Sequence, residues 1–61
     1  MSQINQMELQ NLRHLIGTHE TAYQKMLNYS QTSTDPQVKA YFDKSAQDAL
    51  KTKQQLLSYL S

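Results

Sequence analysis

Apolar residues recur along this chain at intervals of three and four in two long runs. In the first, Leu9, Leu12, Leu15/Ile16, His19, Ala22/Tyr23, Met26 and Tyr29/Ser30 share one stripe of a helix. Gln10, Arg13, Thr21, Lys25 and Asn28 fall on the opposite, solvent face. In the second run, Val38, Tyr41/Phe42, Ser45, Ala49, Thr52, Leu56 and Tyr59/Leu60 repeat the spacing. Between them stands Ser30-Gln31-Thr32-Ser33-Thr34-Asp35-Pro36. Ser and Thr favour turns by bonding to nearby backbone, and Asp-Pro is a helix start, with Asp as N-cap and Pro in the first turn. The pattern predicts one helical-hairpin domain over residues 1–61: a helix over about 7–31, a turn over about 32–34 and a helix over about 35–60. Met1 to Gln6 form a lead-in that frays or joins the first helix.

The fold class is all-α, an antiparallel helical hairpin. Level pairing about the turn sets Met26 near Phe42, Tyr23 near Ser45, His19 near Ala49 and Leu12 near Leu56, so that large residues on the first helix face small ones on the second. Each arm would extend roughly 36–38 Å at ~1.5 Å per residue. Two such rods share a single seam, which leaves the flanks Leu15, Ala22, Leu27, Ala46 and Leu57 partly open to water. A homodimer of hairpins, closing into a four-helix bundle with crossing angles near ~20°, would cover them. Gly17 sits inside the first helix, either as a tolerated surface glycine or as a point where another helix approaches or the helix bends.

Size strengthens the case for association. A chain of 61 residues builds a marginal core on its own, and with no cysteine and only two histidines it has neither disulfides nor a structural zinc set. The formal charge of +1 gives no strong pull toward nucleic acid or anionic lipid, so a nucleic-acid partner is not expected. No apolar run approaches the ~20 residues of a membrane span, and Met1-Ser2-Gln3-Ile4-Asn5 lacks the features of a signal peptide. A cytoplasmic protein with no membrane association is expected. The polar composition alone would permit disorder, but the periodicity argues for folded helices.

Candidate chemistry is sparse. His19 lies on the inner stripe beside Ile16, Tyr23 and Met26, with Glu20 and His14 nearby. Di-iron bundles require carboxylates from several helices and a Glu-x-x-His pair, and that set is missing. Glu20 points about 100° away from His19, and His14 does not stack beneath it. His19 therefore reads as a hydrogen-bonded core or interface histidine, with no metal and no cofactor expected. Tyr23, Tyr29, Tyr41 and Tyr59 read as amphipathic seam residues. Lys39, Lys44, Lys51 and Lys53 give the second helix a basic outer side interrupted by Asp43 and Asp48. Each serine has a turn, cap, seam or terminal explanation, so no catalytic residues are assigned and an enzyme is not expected. The candidates are core and interface positions: Leu12, Ile16, His19, Tyr23, Met26, Phe42, Ser45, Ala49 and Leu56.

Several stretches carry a family likeness: Leu12-Arg13-His14-Leu15-Ile16, Thr18-His19-Glu20, Lys25 to Tyr29, Asp35-Pro36-Gln37-Val38-Lys39, and Phe42 with Ser45-Ala46-Gln47-Asp48. From Leu12 to Leu60 the chain resembles the small spore-coat proteins of endospore-forming Firmicutes, in the coat protein F-like, ferritin-like group. The resemblance implies half of a ferritin-like bundle, made in the mother cell and associated with the spore coat and its other proteins. It supplies no catalytic residue and does not imply ferroxidase activity. The expectation is a non-catalytic structural or assembly protein acting as a dimeric bundle. The alternatives are a nucleic-acid-binding hairpin dimer, using Lys and Arg on backbone contacts, and a metal-binding ferritin-like bundle.

Overall fold

The computed structural model describes residues 4–60 and consists there of two α-helices packed against each other. Helix α1 spans Gln6–Thr32 and helix α2 spans Pro36–Ser58. The hairpin is a rod of 46 × 16 × 12 Å. The first part of the expected lead-in, residues 1–3, and residue 61 lie outside the described residues.

Each helix starts on a side chain that satisfies its free backbone N–H groups. At α1, the Asn5 side-chain oxygen accepts from the Glu8 N–H at 2.8 Å, while Glu8 Oε1 accepts from the Asn5 N–H at 3.2 Å. This reciprocal capping box starts α1 just before Met7, close to the predicted boundary. At α2, Asp35 Oδ1 accepts from the N–H groups of Gln37 and Val38 at 2.8 and 3.0 Å, and Pro36 occupies the first turn. The Asp-Pro reading of the turn is realised.

The end of α1 is satisfied from across the turn. Its last turn carries no basic residue. Lys39 of α2 supplies the cation, its Nζ donating to the Ser30 carbonyl at 3.1 Å. The Ser30 hydroxyl donates to the Asp43 carboxylate, so a side chain only 1% exposed has its polar groups partnered. Among the described residues no buried side-chain nitrogen or oxygen lacks a partner.

The seam corrects part of the predicted stripe. Ala46, expected on an open flank, is completely buried at the centre of the contact. Val38, Tyr41, Tyr59 and Leu60, expected on the inner stripe, are exposed, Tyr41 by 67% and Tyr59 by 56%. For Val38, Tyr41 and Tyr59 the reason is rotation: α2 turns Phe42, Ala46 and Lys53 toward α1, which carries Tyr41 around its side by about 100° from Phe42. Leu60 shares the heptad series of Ala46 and Lys53 but lies past the end of α2 at Ser58. A methyl group at Ala46 lets the helices approach where a larger residue would hold them apart.

Contacts across the seam pair Tyr29 with Phe42, ring centroids 5.1 Å apart, Ser30 with Asp43, and Glu20 with Lys53. In each pair the α1 residue lies about one helical turn nearer the loop than level pairing gives. Side chains on a helix lean toward its N-terminus. In an antiparallel pair both leans add, so contacting residues are displaced from level ones in this direction.

Candidate interaction surface

Every candidate chosen from the sequence, Leu12, Ile16, His19, Tyr23, Met26, Phe42, Ser45, Ala49 and Leu56, is half-buried in the hairpin. The two fully buried residues among those described, Ser30 and Ala46, were not among them. His19 Nδ1 lies 2.8 Å from the Leu15 carbonyl, which can only accept, so Nδ1 is the donor. The hydrogen bond is local to α1 and holds the imidazole against its own helix. Among the described residues no three His, Cys, Asp or Glu side chains come together in a way that would hold a metal ion.

One side of the hairpin is closed by charge. Lys53 Nζ donates to Glu20 Oε1 at 2.6 Å, and Gln24 donates to Glu20 Oε2 at 2.8 Å. These bonds hold the Glu20 carboxyl below its usual range: first the hydrogen bond from Lys53, then that from Gln24, with removal from water opposing and the Lys53 charge adding. Lys39 and Asp43 extend this polar edge toward the loop. Two lysines assigned from sequence to a basic outer side, Lys39 and Lys53, thus reach across to α1. Asp43, read from sequence as an interruption of that outer side, also spans the seam. Lys44 and Asp48 do form an ordinary exposed pair along α2, at 3.3 Å.

The other side carries aromatic, aliphatic and small hydroxyl side chains and no bridging charge. Tyr29 and Glu20 are separated by about two and a half turns of α1, and so face opposite ways while both touch α2. Around Tyr29, Phe42 packs at 5.1 Å and Tyr41 meets Phe42 edge-on at 5.4 Å. Along α1 the same side carries Leu15, Ala22 and Tyr29 at heptad spacing; along α2 it carries Val38, Ser45, Thr52 and Tyr59, also at heptad spacing. Leu15, Tyr29, Val38, Tyr41 and Tyr59 are all exposed. The sequence signal for this side was present in the two heptad series, but the three-and-four stripe merged them with the seam.

The outer face of α1 is open. Arg13, His14, Gly17, Thr18 and Thr21 line a shallow depression. A Cβ placed on Gly17 would meet nothing within 4 Å, so no element of the hairpin approaches there. Among the described residues no helix is long and apolar enough to cross a membrane. No protein-family model, curated protein or solved structure matches the chain.

Proposed function

We propose that this protein is a non-catalytic structural and assembly protein that acts as a homodimer, two hairpins closing into a four-helix bundle. One observation carries the reading. Among the described residues only Ser30 and Ala46 are buried, while Met7, Leu15, Tyr29, Val38, Tyr41, Leu57, Tyr59 and Leu60 remain exposed. Isolated exposed apolar residues are normal, but a surface with this many beside so small a core is that of a subunit. The resemblance to small spore-coat proteins points the same way, toward a protein layer as the setting and other coat proteins as partners. That link rests on the sequence stretches quoted for it.

Solution mass by light scattering across a dilution series, with helicity followed by circular dichroism, tests the proposal. The expected result is a mass near twice 7.1 kDa, with a melting temperature that falls on dilution. A folded monomer at all concentrations, melting independently of concentration, overturns it.

A further inference from the structure

A two-helix seam is filled by two heptad series on each helix; a third series beside them that is uncharged and alternates small with large side chains is what a helix shows when it has a second neighbour. Both helices have such a series, Leu15, Ala22 and Tyr29 on α1 and Val38, Ser45, Thr52 and Tyr59 on α2, and both lie on the side of the Tyr29–Phe42–Tyr41 cluster. We infer that a second copy of this chain docks on this side, and that the side closed by Glu20 and Lys53 faces outward in the assembly. The inference rests on the dimer reading and adds the face to it.

Size, charge and shape each favour this occupant. A footprint of 46 by 16 Å is on the order of 700 Å², close to the ~800 Å² per partner of a stable interface. None of the seven residues in the two series is charged; the nearest charges on this side, Glu8 in the α1 cap and Asp48 paired with Lys44, stand at its end and rim, so a symmetric partner covers the seven without enclosing an ion pair. Covering the opposite side would enclose the Glu20–Lys53 pair together with Lys39 and Asp43. Along the apolar face, small Ala22, Ser45 and Thr52 lie between large Leu15, Tyr29, Tyr41 and Tyr59. A pair of helices from the second copy can approach at the small positions and be gripped by the large ones.

The test compares one charge on each side. Ala22→Glu is expected to weaken self-association by about ten-fold or more, because the carboxylate would be enclosed without a partner. Leu57→Glu, which places the same charge on the exposed far side, is expected to leave the dimer within about two-fold of the unaltered chain. The reverse ranking, or equal effects from both, overturns the face while leaving the dimer intact; an unaltered chain that stays monomeric removes the dimer reading itself. A second measurement covers the case in which Ala22→Glu unfolds. The chain has no cysteine, so Thr52→Cys and Leu57→Cys each carry one thiol. The thiol at position 52 is expected to react slowly in concentrated protein and faster on dilution, and that at 57 at one rate throughout. Equal, concentration-independent rates at both positions overturn the assignment.

Discussion

The two sides of this hairpin are built from the same two helices, yet they differ in how the seam is closed. On one side long polar chains bridge α1 and α2: Lys53 reaches Glu20, Lys39 reaches the Ser30 carbonyl and Asp43 accepts from the Ser30 hydroxyl. On the other, rings and aliphatic groups lie beside one another, with Tyr29 and Tyr41 exposed around a half-buried Phe42 at the loop end. The polar side fixes which residues of one helix meet which of the other, since an ion pair or a buried hydroxyl is satisfied at a single register. The apolar side tolerates sliding, and in the proposed dimer it supplies the driving force for association. On that proposal, register and association are carried by different sides of one seam.

The largest effect expected from breaking this arrangement comes from adjacent heptad series. Ala46→Leu should cost about 1–3 kcal/mol, because the methyl group at the centre of the seam is completely enclosed. Thr52→Leu, on the apolar side, should leave the melting temperature unchanged at dilutions where no dimer forms, and lower it where the dimer forms, because the added bulk stands at a point of close approach. Thermal melts of both variants at matched concentration check the contrast; a tolerated Ala46→Leu would show that the helices are free to separate at that point. Next in size is Asp35→Ala, which removes the acceptor for two backbone N–H groups and should cost about 1 kcal/mol in chemical unfolding.

The turn and the helices were legible because their signals are local. Asp35-Pro36 caps its own helix whatever lies across from it, and the three-and-four spacing survives any partner. Asn5 and Glu8 carry an equally local signal, the reciprocal cap, that also marks the start of α1. The rotation of α2 was not legible in the same way. A stripe that includes Tyr41, Phe42, Ser45 and Ala49 can centre on either edge, and the choice of Phe42 and Ala46 depends on what α1 offers opposite them. Lys39 and Lys53 were opaque for a related reason: a lysine on a helix edge looks solvated until a carboxylate or a carbonyl from another element comes within reach of its long stem.

A smaller effect, opposite in sign, is expected on the outer face of α1. Gly17 has a helical backbone and open space where a Cβ would stand. Gly17→Ala should stabilise the protein by about 0.5–1 kcal/mol by lowering the freedom of the unfolded chain. Urea midpoints at fixed protein concentration measure it. A loss of stability instead would mean that a further helix approaches this face in the assembled protein and has no room for a methyl group.

The smallest effect tests the polar side by pH. Glu20 is held below the ordinary carboxylate range by its bonds from Lys53 and Gln24. A group whose folded value is depressed contributes stability that is fully present above its unfolded value, near ~4.3, and is lost as pH falls through the folded value. Melting temperature should therefore drop more steeply on acidification in the unaltered chain than in Glu20→Gln, which keeps a hydrogen-bonding side chain but cannot titrate. Lys53→Met should move the Glu20 carboxyl back toward its ordinary value, read directly by carboxyl-carbon NMR across the acid range. Because the pair remains partly open to water, salt should flatten the difference between the unaltered chain and Glu20→Gln. A Glu20 that titrates at the same pH with and without Lys53 would mean that the bridge does not persist in solution. Register would then fall to Ser30, Asp43 and Lys39 near the loop, leaving the far half of the seam, where the leucines lie, free to slide.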